Sequence, residues 1–453
     1  MNQNTSRRNF VKTAVASSFA APWLGWKSTA NAGNPSDHIR FVCFGANGRA
    51  WKNIQEMTKQ VPNAKLVAVA DVDLSRTNHV KEHHPDAKIF QDWRQLLDKE
   101  ENNFDAAIVA TPDHMHAPIA MSTMQLGKHT YLEKPLTRTL HECRVLHDFA
   151  VEHPKLATQM GNQVASATSN LTAVKWIREG IVGKVKSVHS YNPKSWGQHE
   201  PLHGKLVAPP ESLDWDAWCG VRPAAKFRKG DYHPSQWRKR LDYGTGTLGD
   251  MGCHIYHPWF MGLDQPVALE ITSHGAAPYE DRNSWPLNSK VHYRMKGNDL
   301  TDGDFDFFWY DGRQQGFPEV VLQAVGGIPE NLPRSGSVVI GTEGTLVLQH
   351  SFDALPKLYQ SGVEVEVESA PEESTGHHLN WVEGILSDNS QRPRCNWSYA
   401  GPMTEAVLLG TVACRLPGET LKWDSENLEF IENITANQFI KEDYRPGWEV
   451  EGL

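Results

Sequence analysis

The chain has 453 residues, with 45 Lys and Arg against 54 Asp and Glu, a formal net charge of −9. Without residues 1–32, which carry Arg7, Arg8, Lys12 and Lys27 but no acid, the balance is 41 against 54, near −13. Such an acidic body excludes a protein built mainly to hold nucleic acid or an anionic membrane, both of which need concentrated basic surface, and 39% hydrophobic with 22% charged residues excludes a disordered chain.

At roughly 100–200 residues per domain, the length predicts two or three domains. The amino terminus reads as an address. Ser6-Arg7-Arg8-Asn9-Phe10-Val11-Lys12 resembles a twin-arginine export signal. An apolar stretch from Val11 to Trp26 follows, then small residues at Ala30 and Ala32 as a peptidase would read them. Residues 1–32 are therefore set aside from the fold, and the protein is expected to be exported, folded, to the periplasm. No uninterrupted apolar run reaches the roughly 18–20 residues of a membrane span. The six cysteines are scattered without a CxxC pair, so free, buried thiols are expected.

From residue 37 strands and helices alternate. Strand-like runs at His38–Phe44, Lys65–Ala70, Lys88–Phe90, Asp105–Ala110 and His129–Leu132 are separated by helical stretches at Arg49–Gln60, Ser75–Glu82, Trp93–Glu100 and His114–Leu126. A longer helix is predicted over Leu140–Glu152. This is the pattern of a parallel sheet buried on both faces. The turn after the first strand, Gly45-Ala46-Asn47-Gly48-Arg49-Ala50, stands where a dinucleotide fingerprint belongs, although only its first glycine is in place. Asp71 ends the second strand, where a carboxylate receives a ribose diol and repels a 2′-phosphate. That favours NAD over NADP, with the nearby Arg76 pointing the other way.

Two more strand ends carry motifs, Thr111-Pro112-Asp113-His114-Met115-His116 and Glu133-Lys134-Pro135. Downstream, the glycine-rich run from Gly244 leads into Asp250-Met251-Gly252-Cys253-His254. Asp250 and His254 are spaced i,i+4, so a helix would place them on one face. Further strands are predicted at Lys186–Tyr191, Leu269–His274, Lys290–Met295, Asp304–Tyr310 and Ser337–Leu348. Helices are predicted at Thr168–Glu179, Leu248–Met261, Gly376–Leu386 and Met403–Arg415, with Pro258 expected to kink or end the second early.

With the segments Gly161-Asn162-Gln163 and Asp214 to Trp218, these motifs resemble the Gfo/Idh/MocA family, the NAD(P)-dependent sugar and polyol oxidoreductases. The resemblance implies an α/β protein: an N-terminal Rossmann dinucleotide-binding domain over 37–160, then a C-terminal α+β domain over 161–453 with a large, mostly antiparallel open sheet. It places NAD at Gly45, Asn47, Gly48, Arg49, Asp71, Thr111, Pro112, His116, Glu133 and Lys134. It assigns catalysis to Lys134, Asp250 and His254, and substrate contact to those three and His257. His257 departs from the family, which often has Asp there. No metal is expected. Pairing through the open sheet into a homodimer or tetramer is implied as well.

In chemical terms, oxidising a secondary alcohol needs a base for the hydroxyl proton and a cofactor for the hydride. His254 suits the base, Asp250 could orient it, and Lys134 could polarise the reacting oxygen. The carbohydrate partner is a sugar, sugar derivative or cyclitol. One alternative is a redox glycoside hydrolase or lyase with tightly bound, recycled NAD; another is a non-catalytic sugar or nucleotide binder. Among Trp196, Trp215, Trp218, Trp237 and Trp259, one or two are expected at the site. Arg238-Lys239-Arg240 read as a solvated loop or a contact to an acidic sugar, and the pairs His83-His84 and His377-His378 read as surface positions.

Overall fold

The computed structural model describes residues 39–453 except 314, 315 and 375. The export signal expected over residues 1–32 lies outside the described residues.

The first sheet has six parallel strands: β1 (Ile39–Phe44), β2 (Ala64–Ala70), β3 (Lys88–Phe90), β4 (Ala106–Val109), β5 (His129–Glu133) and β6 (Thr158–Gly161). Their order is β3-β2-β1-β4-β5-β6. The four residues of β4 are all buried, and so are five of the six in β1, as a sheet covered on both faces requires. The winding reverses between β1 and β4, and the carboxyl ends there open a crevice.

The second sheet has ten strands. They are β7 (Val185–Asn192), β8 (Ala268–Ser273), β9 (Lys290–Met295), β10 (Thr301–Asp311), β11 (Gly336–Gly341), β12 (Thr345–Gln349), β13 (Lys357–Gln360), β14 (Val363–Val365), β15 (Thr420–Asp424) and β16 (Glu429–Phe430). The order β14-β13-β12-β11-β7-β10-β9-β8-β15-β16 is antiparallel except where β10 runs parallel to β7. The run expected as one strand over 337–348 is a hairpin, because Gly341 to Gly344 turns the chain between β11 and β12.

One face of this sheet, with Val188, Ile271, Tyr293, Phe307 and Leu346, belongs to the main core. It packs against the helices Thr168–Arg178, Gly246–Gly262 and Trp397–Arg415. Pro258 does not end its helix, which continues to Gly262. The proline forfeits one backbone bond, and burial of Trp259 and Phe260 against the sheet outweighs the loss. On the opposite face the short helix Glu319–Ala324 covers Val338, Val347 and Tyr359. All six cysteines are free and buried, as expected.

Between β7 and the helix at Gly246 the chain makes a long excursion with no regular period. It carries a small core of Leu213, Trp218, Cys219, Tyr232, Trp237 and Tyr243. This excursion is a strap, fastened to the turn after β2. Leu74 N donates to Ser212 O at 2.9 Å, Asp214 N to Val72 O at 2.9 Å, and Ser212 Oγ to Asp73 Oδ1 at 3.0 Å. His233 Nε2 pairs with Asp73 Oδ2 at 3.1 Å. Gln91 Nε2 donates to both Val72 O and Ser212 O at 3.0 Å.

Candidate active site

A cavity of about 570 Å³ runs from the ends of β1 and β2 to the helix at Gly246, roofed in part by Trp218, Pro234 and Trp237 of the strap. At one end is the glycine turn. Gly45 has φ 96°, and a Cβ there would stand 2.8 Å from Ala110 O, so only glycine fits. Asn47 Oδ1 accepts from Gly48 N at 2.6 Å, and Gly48 has φ 60°. The helix then starts at Arg49 with no side-chain cap and no acid in its first turn. Its free N–H groups and positive dipole end suit a pyrophosphate.

Asp71 closes this turn by accepting from Ala46 N at 2.9 Å and Asp73 N at 3.0 Å. Burial raises the Asp71 pKa against the pull of those two amides. Arg76 lines the same end. Thr111 Oγ1 is buried on the cavity wall and has no partner among the described residues. His116 braces the loops after β4 and β5, with its Nδ1 2.8 Å from Pro135 O and its Nε2 2.9 Å from Thr111 O. Glu133 is held by Asn53 Nδ2 and Gln163 Nε2, both at 2.9 Å.

At the other end Asp250 is encircled by donors. Lys134 Nζ reaches Oδ1 at 2.8 Å, while Lys194 Nζ at 3.0 Å and Trp196 Nε1 at 2.8 Å reach Oδ2. The Arg238 guanidinium is 3.4 Å away and also pairs with Asp113 at 3.3 Å. Burial penalises the Asp250 carboxylate, but Lys134, Arg238 and Lys194 outweigh it and hold its pKa well below the usual range.

His254 makes no bond to Asp250, contrary to the simplest reading of their spacing. Its Nδ1 lies 2.5 Å from Asn162 Oδ1, while Asn162 Nδ2 donates to Cys253 O at 2.7 Å. The amide therefore presents its oxygen to the imidazole, Nδ1 carries the proton, and Nε2 is left with a lone pair. Burial, then Lys134 and His350, push the His254 pKa well below its ordinary value, so the ring is neutral. A neutral imidazole with one bare nitrogen is the form a general base requires.

All of the expected cofactor positions line this one cavity, as do Lys134, Asp250 and His254. His257 does not. It is wholly buried behind the helix, its Nδ1 2.8 Å from the Tyr399 hydroxyl, so it lies out of reach of any substrate. His377 and His378 are also buried rather than exposed, the latter stacked on Tyr131 at 5.1 Å. Arg238 belongs to the site instead of a solvated loop, and Arg240 is fully buried on Gln198 and Asp231. Trp196, Trp218 and Trp237 line the cavity, whereas Trp259 is core. Sequence reasoning missed Lys194 and His350, isolated residues outside any local motif. Asn162 was noticed only as part of a family-like segment.

A parallel sheet with an uncapped helix at its switch point opens onto a cluster of Lys134, Asp250 and His254. Residues 39–161 match the oxidoreductase family model with an NAD-binding Rossmann fold, and residues 173–298 match that family's C-terminal α/β domain. The chain belongs to the Gfo/Idh/MocA oxidoreductases. The uncapped helix, the glycine turn and the unpartnered Thr111 hydroxyl fit the family's NAD.

A glycosyl hydrolase family 109 protein of Shewanella baltica (strain OS195) is 27% identical over 208 residues, 40% of this chain and 44% of that protein. A levoglucosan dehydrogenase of Pseudarthrobacter phenanthrenivorans is 27% identical over 165 residues, 36% of this chain and 34% of that one. The chain thus spans less than half the length of these curated relatives. Among solved structures, a levoglucosan dehydrogenase in complex with NADH has a TM-score of 0.58 at 14% identity, covering 85% of this chain and 99% of that one. The aldose-aldose oxidoreductase from Caulobacter crescentus has a TM-score of 0.57 at 15% identity, covering 85% of this chain and 100% of that one. At such identities these structures establish the fold.

Proposed function

We propose that the protein is an NAD-dependent oxidoreductase that takes a hydride from a secondary hydroxyl of a sugar, sugar derivative or cyclitol. The observation that carries this reading is His254, its Nδ1 held by Asn162 and its Nε2 without a partner among the described residues, in the same cavity as the dinucleotide turn. Bound NAD supplies the hydride acceptor. Nε2 of His254 takes the hydroxyl proton, and Asn162 keeps the ring in the accepting tautomer. Lys134 polarises the substrate oxygen, and Asp250 fixes Lys134 and Lys194 while accepting a sugar hydroxyl. Trp196 offers a face to the apolar side of a sugar ring.

A second reading has support of its own. The strap fastens over the ribose end of the site, where it would hold a cofactor in place, and the likeness to a glycosyl hydrolase family 109 protein points to cleavage of a glycosidic bond. The intact Lys134, Asp250 and His254 speak against a mere binder. We place the protein in the periplasm by its twin-arginine-like start, divide it near residue 160 where β6 ends, and assign the open sheet face to a homodimer or tetramer.

The test is to load the purified protein with NAD and offer hexoses, N-acetylhexosamines, uronates and inositols while following absorbance at 340 nm. Reduction by a sugar that His254→Ala and Asp250→Asn abolish is expected. Release of nitrophenol from nitrophenyl glycosides without net NADH would favour the second reading. Failure of both assays would overturn the enzymatic proposal.

A further inference from the structure

His254 lies between two spaces. One is the large cavity. The other is a separate crevice of about 10 Å³, lined by Ser169, Asn170, His254, Pro258, His350 and Pro356. That is room for about one water. Asn170 is 4% exposed, and its Oδ1 has no hydrogen-bond partner among the described residues. Its amide nitrogen is already committed, donating to Ser169 Oγ at 3.2 Å. The crevice thus contains a buried acceptor with nothing to accept from, which a single water would satisfy.

His350, just past the end of β12, also lines both spaces. Its ring centroid is 5.4 Å from that of His254, with the planes inclined at 33°. One water or hydroxyl bridges such a gap. The cavity side offers His254 no good outlet for a proton. Lys134 and Lys194 are there as cations paired to Asp250, and a bound cofactor and sugar would cover the rest.

We propose that His350 is a proton relay that connects His254, through a water held by Asn170 in the crevice, to bulk solvent. The inference rests on the reading of His254 as base. With NAD bound to accept the hydride of the substrate C–H bond, the substrate O–H bond would break and its proton would go to His254 Nε2. The proton then passes over the crevice water, which bridges the two rings, to one nitrogen of His350, and the other nitrogen of that half-buried ring releases a proton to solvent. Both imidazoles return to neutral, and one proton has left for each hydride transferred. His350 acts on His254 and is a positioning residue, not a catalytic one. Burial, then Lys194 and Lys134, lower its pKa against the opposing pull of Asp250, so it is neutral and able to accept.

Two measurements on the NAD-loaded enzyme test this. The first needs no sugar: the rate at which His254 Nε2 gains and loses a proton, followed by ¹⁵N exchange NMR on ¹⁵N-histidine-labelled protein. His350→Gln and Asn170→Leu, which remove the relay and fill the crevice respectively, are each expected to slow exchange at least 10-fold with the fold intact by circular dichroism. Unchanged exchange in both variants would overturn the relay. The second is a single turnover with whichever sugar of the panel reduces the enzyme, followed at 340 nm and by phenol red. In His350→Gln, proton release should lag hydride transfer at least 10-fold, and free imidazole should restore it in His350→Ala. Release that keeps pace with the hydride in both variants would overturn the relay as well. If no sugar reduces the wild type while the exchange result stands, the proposed activity falls and the proton path remains.

Discussion

Asn162 Oδ1 lies 2.5 Å from His254 Nδ1, and among the described residues no carboxylate hydrogen-bonds that imidazole. A neutral amide fixes the tautomer without stabilising the cation, so the ring remains a base of low affinity for protons. In Asn162→Asp the new carboxylate would favour the imidazolium. The acid limb of the kcat/KM profile is expected to move to higher pH by about one unit or more. In Asn162→Ala the tautomer is unfixed, and kcat should fall about 10- to 100-fold. A pH–rate series on the three proteins checks both.

Asp250, itself buried, balances three cations. Removing one member of such a group leaves the others uncompensated, at a cost of about 3–5 kcal/mol. Asp250→Ala should therefore lower the unfolding midpoint as well as abolish turnover. Lys194→Met, which removes only the half-exposed partner, should cost little stability and mainly raise KM. Chemical denaturation alongside kinetics separates the two.

Five buried imidazoles set the acid limit of the fold. Burial holds His114, His257 and His377 at about 3 and His189 and His378 at about 4, against an ordinary 6.5. The folded pKa values are depressed, so the unfolded chain takes up protons first. Stability is complete above about pH 6.5 and declines below it, by up to about 1.4 kcal/mol per pH unit for each ring. Asp311, pushed up to about 6 by burial, works in the opposite sense, but one group does not offset five. Asp250 and Glu442, both lowered, surrender their contributions only at more acid pH. Denaturant midpoints at pH 7, 6 and 5 should therefore fall steadily.

The strap predicts slow cofactor exchange. Asp73 accepts from Ser212 Oγ at 3.0 Å and pairs with His233 at 3.1 Å, both residues of the strap. At about 1 kcal/mol for each lost bond, Asp73→Ala should release bound NADH about 10-fold faster or more. A fluorescence chase with excess NAD reads the rate.

Much of this was legible before any coordinates. Continuous apolar runs that end in Gly45, Asp71 and Glu133 could hardly be anything but buried parallel strands. Once the sheet is parallel, their carboxyl ends must share a crevice. The strap was illegible because it has no hydrophobic period and is held mostly by backbone atoms and single polar side chains. His377-His378 looked solvated because histidine is polar in the abstract; here neutral rings pack as aromatics, His378 against Tyr131. His257 misled for a related reason, since its place in a motif did not disclose which side of the helix it occupies. Lys194 and His350 come from the ends of two strands of the second sheet, and only the fold brings them to the base.

The six free thiols have a consequence for where such a fold can exist. All are buried, and burial drives their pKa values upward, Cys253 and Cys414 to about 12. The reactive thiolate is suppressed and an oxidant has no easy approach. The architecture borrows nothing from covalent cross-links and offers nothing to disulfide exchange, so its stability should be the same in glutathione-rich and oxidising surroundings. A chain built this way is indifferent to the redox potential around it.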